Sequence, residues 1–351
     1  MGVIAIKAVL LNGPSDLSYQ EVPDPICPTD GVVIRVLACG ICGSDLRTYE
    51  GGSSNKIYPS IIGHEIVGEI VESNNNEFQM GTHLAIAPMV PCGDCWCCNS
   101  GFSNLCENMK EIGLATGIPG GFAQYMSLTG EILNKGCINV LKEGSNYENA
   151  VLIETASSVL GSHINTNMGN EDLVLVIGSG AIGCLHSEIA KLKGAKEVMI
   201  VELSQDKVNL SKQQGFEGIY CFNSGDEELK RLVDEKTNGK GADVVITACP
   251  SGQAQADALN LVRKRGKVIF FGGIAKDTQP QLNTNKIHYD EIQIFGASAY
   301  SPEINRMAFE LVTSGKIDAE KYITHRYGLQ DLNFAFKEMK QGKMIKGIIL
   351  P

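Results

Sequence analysis

The sequence predicts an α/β protein made of a doubly wound parallel sheet joined to a separate β-rich domain. Three observations lead there. From Asp172 to about residue 296, strand and helix patterns alternate, the texture of successive parallel βαβ units. Residues 1–154 carry short β-branched runs broken by clusters of Gly, Pro, Asn and Asp, the texture of a turn-rich β domain. The length of 351 residues is generous for one core and suits two. The expected organisation is 1–154 as the β-rich domain, 155–296 as the parallel sheet, and 297–351 as a segment returning to the first domain.

In the first part, strands are expected at Ala5–Leu11, Gly31–Ala38, Ile66–Glu72 and His83–Ala87. Pro23-Asp24-Pro25 and the run from Ser73 to Asn76 mark turns between them. In the second part, Leu173–Ile177 reads as a buried strand. Ile182, Leu185, Ile189 and Leu192 then recur at helical spacing as far as Lys193. Glu197–Val201 reads as a strand, and Ser204–Gln214 as a helix with Ser204 as its N-cap. The alternation continues with strand Gly218–Phe222, helix Asp226–Lys236, strand Ala242–Thr247, helix Gln253–Arg263 and strands Lys267–Phe271 and Gln293–Gly296. The last part shows two helical patterns and a strand at Gly347–Leu350, which needs an existing sheet to hold it.

Composition narrows the function classes. Hydrophobic residues are 43% and charged residues 20%, enough for a packed core and too apolar for wholesale disorder. The formal net charge of −10 argues against coating nucleic acid or an anionic membrane. No apolar run is long enough to span a bilayer. The first residues lack the basic region and cleavage site of a secretory signal, and Gly2 lacks the Ser or Thr at position 6 that myristoylation needs. A soluble, cytoplasmic protein is expected.

The sequence from Val174 to Gly183 places Gly178, Gly180 and Gly183 in a G-x-G-x-x-G spacing between a strand and a helix. Such glycines permit a tight turn and close backbone approach, and a helix N-terminus offers unpaired N–H groups to a pyrophosphate. Gly178, Gly180, Ala181, Ile182 and Gly183 are therefore the expected dinucleotide contacts. Glu202 ends the next strand, where a carboxylate accepts both ribose hydroxyls and repels a 2′-phosphate. The following residue is Leu203, and no Arg occurs before Arg231, so NAD is expected over NADP. Lys207, one turn on, is also within reach of the ribose.

Twelve cysteines are present, and five of them fall between Cys92 and Cys106. Cys92, Cys95, Cys98 and Cys106 supply thiolates at spacings that let one loop wrap a tetrahedral ion, and four thiolates leave no position for substrate. A structural zinc is expected, with Cys97 out of phase. This stretch contains no Lys or Arg, which speaks against a nucleic-acid-binding zinc module. A second, more dispersed set comprises Cys42, His64, Glu65 and Glu154. Thiolate, imidazole and carboxylate together make an incomplete shell that leaves room for a substrate oxygen. Asp45 is placed to hold the His64 imidazole in one tautomer.

With CGICGSD at Cys39–Asp45, GHEIVGEIV at Gly63–Val71, the cysteine loop, GGFAQY at Gly120–Tyr125 and the glycine fingerprint, the chain resembles the zinc-dependent medium-chain dehydrogenase/reductase family, in its sorbitol (polyol) dehydrogenase branch. The resemblance covers nearly the whole chain and implies a GroES-like catalytic domain with a Rossmann domain. It implies two zinc ions per chain, NAD, a small polyol or sugar-alcohol substrate oxidised at a secondary hydroxyl to a ketone, and a homodimer or homotetramer. No nucleic-acid or membrane partner is expected. Carried over residue by residue, Cys42 and His64 are catalytic zinc ligands, and Glu65 is a ligand or close neighbour. Glu154 stands where polyol and threonine dehydrogenases carry Glu and alcohol dehydrogenases a third Cys. Ser44 matches the hydroxyl that touches the substrate oxygen, and Lys346 a basic residue near the cofactor phosphates. Amino-alcohol and simple alcohol dehydrogenases are the alternatives. The departures are Arg47 for a relay His, Thr48 for a substrate-binding Tyr, Gln124 for Glu, and Thr155 for the Pro that usually follows Glu154. His163 and His325 read as structural.

Overall fold

The computed structural model describes residues 5–51, 55–168 and 173–351; Gly2 and Asp172 lie outside them. The chain forms two compact units, Met1–Ser157 together with Ala299–Pro351, and Ser158–Ser298. The first boundary differs from the sequence reading at 154 because it falls inside the helix Leu152–Thr166, whose regular turns leave no break in the sequence.

The first unit is built on a seven-stranded sheet. Its strands run in the order Ile323–Tyr327, Lys346–Ile349, Val32–Gly40, Glu65–Ser73, His83–Ala87 and Cys137–Val140, with Tyr125–Leu128 also paired to Val32–Gly40. Val32–Gly40 is buried along almost its whole length because it has neighbours on both sides and is covered on both faces, so it reads as a continuous apolar run. Ile34, Ile41, Ile62, Ile66, Phe122 and Phe336 lie at the centre of the core beneath it. The strand Lys346–Ile349 pairs antiparallel with Cys39 and Gly40, which ties residues from the end of the chain to the segment leading into Cys42. Ala5–Gly13 and Asp16–Pro23 form a separate antiparallel pair.

Among the described residues, six strands of this unit are not expected from the sequence: Asp16–Pro23, Met89–Val90, Lys110–Glu111, Tyr125–Leu128, Cys137–Val140 and Ile323–Tyr327. Asp16–Pro23 has no buried residue, so no apolar alternation marks it. Ile323–Tyr327, on the sheet edge, is buried only at Ile323. The last segment, expected to carry two helical patterns, holds the helices Pro302–Thr313 and Leu332–Lys340.

The second unit holds a six-stranded parallel sheet. The order is Ile219–Cys221, Glu197–Glu202, Leu173–Ile177, Ala242–Thr247, Val262–Phe270, Gln293–Gly296. The order reverses beside Leu173–Ile177, the position where doubly wound sheets bind ligands at their strand ends. The helix expected over Gln253–Arg263 ends at Leu261, and the chain passes directly into strand Val262–Phe270. The polar stretch Arg263–Arg265 hides that start, because Lys264 and Arg265 are exposed and carry no apolar alternation. Among the described residues, no helix is long and apolar enough to cross a membrane.

Candidate metal centres and dinucleotide site

Cys42, His64 and Glu65 meet in the first unit, each offering a ligand atom within 4.8 Å of the others. Backbone geometry sets them there. Cys42 is the N-cap of the short helix Gly43–Tyr49, and Glu65 opens the strand Glu65–Ser73 directly after His64. Gly63 has φ of +98° and lies against Phe122 and Cys39, so the turn into His64 needs glycine both for conformation and for space. Asp45 serves two of the three residues. Its Oδ2 accepts the Cys42 backbone N–H at 2.9 Å, and its Oδ1 lies 3.0 Å from His64 Nδ1. With Asp45 ionised, Nδ1 carries the proton, which leaves the Nε2 lone pair as the donor toward a metal. Ser44 Oγ lies 3.2 Å from Nε2. Burial alone would depress the His64 pKa, yet Asp45 and Cys42 outweigh it and hold the metal-free imidazole well above its ordinary value, so a metal ion at Nε2 takes the place of a proton there.

Glu65 is fully buried, and its two oxygens differ. Oε1 accepts from the Lys346 ammonium and from Thr155 Oγ1, the latter at 3.0 Å. Among the described residues, Oε2 has no hydrogen-bond partner. A buried carboxylate grouped with a thiol and an imidazole, with one of its oxygens unpaired, is what a divalent cation would satisfy, so the donor set fits zinc. Lys346, which the resemblance sets beside cofactor phosphates, is buried with its ammonium against Glu65 and Thr155. Glu154 lies outside the three-residue cluster. Its Oε1 accepts from the hydroxyl of buried Tyr300 at 2.8 Å. Burial lifts its carboxyl above the usual range and Glu65 adds to that, against the pull of His64 and Lys346.

Cys92, Cys95, Cys98 and Cys106 form the other cluster. Their sulfurs lie 3.9 Å apart for Cys92–Cys98, 3.9 Å for Cys95–Cys106 and 3.4 Å for Cys92–Cys106. A tetrahedron with Zn–S of about 2.3 Å has edges of about 3.8 Å, whereas a disulfide would need about 2.05 Å. Backbone N–H groups of Cys98 and Glu107 lower the Cys95 thiol to about 6, while burial and the neighbouring thiols push Cys98 up to about 12. Four thiolates this close repel one another, and a dication removes the conflict. The set fits a closed zinc site. Cys97 is not part of it.

In the second unit, Leu173–Ile177 runs into Gly178, whose φ of +113° only glycine adopts without strain. A Cβ on Gly183 would meet Gly178 O at 1.8 Å, so glycine there permits the close packing of helix Ala181–Leu192 on the turn. A Cβ on Gly180, the N-cap of that helix, would meet nothing within 4 Å. No side chain at Gly180 therefore crowds an anionic group approaching the N–H groups of Ala181 and Ile182. Glu202 ends its strand, with Oε2 accepting from Ser179 N at 3.0 Å and Oε1 from Ser204 N at 3.1 Å. Lys207 lies in the first turn of helix Gln205–Gln213, where its backbone N–H is capped by Ser204 Oγ.

The departures have local accounts. Arg47 is exposed and Thr48 buried. Gln124 exchanges bonds with Lys7, accepting its N–H through Oε1 at 2.8 Å and donating N–H to its carbonyl at 3.0 Å. His163 and His186 are fully buried with Nε2 and Nδ1 2.9 Å apart, and His325 stacks on Tyr327. Sequence reasoning missed Tyr300, because nothing in the sequence links it to Glu154.

Comparison with known proteins agrees with this arrangement. Residues 28–136 match the alcohol dehydrogenase GroES-like domain and residues 181–314 the zinc-binding dehydrogenase domain. The chain is 32% identical over 343 residues to a sorbitol dehydrogenase of Halalkalibacterium halodurans, covering 97% of each chain. It is 30% identical to a D-arabitol-phosphate dehydrogenase of Enterococcus avium, over 96% of this chain and 94% of that one. The 2R,3R-butanediol dehydrogenase of Bacillus subtilis superposes with a TM-score of 0.87 at 25% identity, over 99% of each chain. The chain therefore belongs to the zinc-dependent medium-chain dehydrogenase/reductase family, in its sorbitol dehydrogenase-like branch.

Proposed function

We propose that this protein oxidises a secondary hydroxyl of a polyol or sugar alcohol to a ketone, reversibly, with NAD as acceptor and zinc as Lewis acid. The observation that carries the reading is the buried set of Cys42, His64 and Glu65, with Asp45 orienting the first two and Ser44 beside the imidazole. When bound, zinc acidifies the substrate hydroxyl and NAD accepts the hydride. Cys42, His64 and Glu65 hold the metal, with Glu154 as the further carboxylate that polyol and threonine dehydrogenases share. Ser44 Oγ accepts the proton leaving the substrate hydroxyl and passes it toward solvent. Gly178, Gly180, Ala181, Ile182 and Gly183 take the pyrophosphate, Glu202 takes the ribose hydroxyls, and Lys207 lies within reach of the same sugar. Cys92, Cys95, Cys98 and Cys106 hold the structural zinc. The same reading makes the protein a cytoplasmic homodimer or homotetramer, a state that sedimentation velocity measures directly.

A carboxylate at position 154 in place of a third thiolate makes the site harder and more tolerant of oxygen ligands, which suits a substrate offering two neighbouring hydroxyls. Arabitol phosphate, the substrate named for one relative, is such a molecule. NADH formation across polyols, polyol phosphates, amino alcohols and simple alcohols tests the proposal. Vicinal polyols or their phosphates should lead in kcat/KM. A best substrate among primary mono-alcohols, or threonine, would overturn the polyol assignment.

A further inference from the structure

Thr155 stands where the family pattern places Pro, and its side chain is built into the metal cluster. Its hydroxyl donates to Glu65 Oε1 at 3.0 Å and accepts from Lys346 Nζ at 3.1 Å, while the same ammonium also donates to Glu65 Oε1. The three side chains close a ring, and each is 3% exposed or less. A hydroxyl has one proton to give, and here it goes to the carboxylate, since the ammonium can only donate. Both donations to Glu65 end on Oε1. Oε2 is left buried with no donor, packed over Gly40, where a Cβ would stand 1.8 Å from it. An unpaired buried carboxylate oxygen is costly, so its persistence marks a place where a cation belongs. Without the Thr155 hydroxyl, Lys346 alone would define the carboxylate plane, and a single ammonium contact leaves a carboxylate free to rotate.

Resting on the catalytic zinc site proposed above, we infer that Thr155 is a positioning residue for that metal. Its hydroxyl locks Glu65 in the orientation that offers Oε2 alone, and so sets how firmly this one ion is held. Because the next residue toward the N-terminus is Glu154, the same turn of helix Leu152–Thr166 governs both carboxylates of the site.

The test is the kinetics of zinc release from the purified full-length enzyme into a chelating dye, for the wild type, Thr155→Val and Thr155→Ser. The wild type should release two ions in two phases. Val keeps the shape and removes the hydroxyl, so the phase assigned to the catalytic ion, identified by its loss in Cys42→Ser, should quicken about tenfold, at the lower end of what outer-shell partners contribute to metal affinity. The structural-ion phase should not move, and Ser should restore the wild-type rate. Unchanged release in Thr155→Val overturns the inference. So does equal acceleration of both phases, which signals general loosening, or a Ser variant that behaves like Val. A wild type that holds a single ion, with Cys42→Ser unchanged, would instead refute the catalytic zinc site itself and this inference with it.

Discussion

The proposed function gives Glu202 the cofactor choice through a single side chain, and its surroundings show how the carboxylate is held. Backbone N–H groups of Ser179 and Ser204 and the Ser179 hydroxyl all donate to it, which pins the carboxylate at the strand end. A 2′-phosphate there would meet a fixed like charge, costing a few kcal/mol, or about a hundredfold in selectivity. Glu202→Ala should therefore bring kcat/KM for NADP within about tenfold of that for NAD while leaving zinc content unchanged. Steady-state kinetics with both cofactors decide it, and a wild type that uses NADP as well as NAD would refute the role. The position of Glu202 was legible because it depends on local order, a strand end following a glycine turn. Thr155 was not: its identity was visible, but its hydrogen bonds reach Glu65 and Lys346 from distant parts of the chain, and no spacing rule joins them. The contact of Lys346 with Glu65 was hidden for the same reason, since the sequence shows a basic residue and conceals the carboxylate it meets.

Among the elements, the helices Leu152–Thr166 and Ala181–Leu192 share a contact with a measurable consequence. Each contributes a fully buried histidine, His163 and His186, whose rings stack with Nε2 and Nδ1 2.9 Å apart and whose outer nitrogens have no partner. One ring donates and the other accepts, so the accepting ring must be neutral, and burial without a counter-charge disfavours a further proton on either. Burial lowers His163 to about 3, helped by Lys193, and lowers His186 well below its ordinary value. The unfolded chain binds these protons near 6.5 and the folded chain does not. The stabilisation is therefore complete above about 6.5 and is lost as pH falls from there toward 3, at about 1.4 kcal/mol per pH unit for each proton. His163→Gln, which keeps a hydrogen-bonding side chain but cannot titrate, should flatten the stability profile between pH 6.5 and 5 by about one proton. Urea unfolding across that range measures it, and an unchanged slope would show that the pair does not titrate on unfolding. Element patterns were legible where burial is one-sided or complete, as in Leu173–Ile177, Ala242–Thr247 and His83–Ala87. They failed where a strand is exposed, as in Asp16–Pro23, or where a helix runs straight into a strand, as at Leu261 and Val262.

For the whole molecule, the two metal centres were read from sequence with unequal ease. The four cysteines lie within one short loop, so spacing alone assembled them, whereas Cys42, His64 and Glu65 come together only once Val32–Gly40 and Glu65–Ser73 pair. That difference predicts different couplings to folding. The loop from Cys92 to Cys106 contains only the short helix Trp96–Asn99 and a single turn at Ser103–Leu105, and its large apolar side chains, Trp96, Phe102 and Leu105, are 68%, 52% and 54% exposed. It buries too little to hold its shape, so the ion must close it. Cys42, by contrast, is anchored by Asp45 and follows a strand, Val32–Gly40, that is paired on both sides in the sheet. Cys95→Ser should lose one zinc and lower the melting temperature by roughly 5 °C or more, since a few kcal/mol of metal-linked stability is removed. Cys42→Ser should lose the other zinc and all turnover while melting within about 2 °C of the wild type, a shift worth under about 1 kcal/mol. Metal analysis and calorimetry on the two variants, side by side, separate the roles. Equal melting losses, or full zinc content in either variant, would refute the division between a metal that completes the fold and a metal that a finished fold presents to substrate.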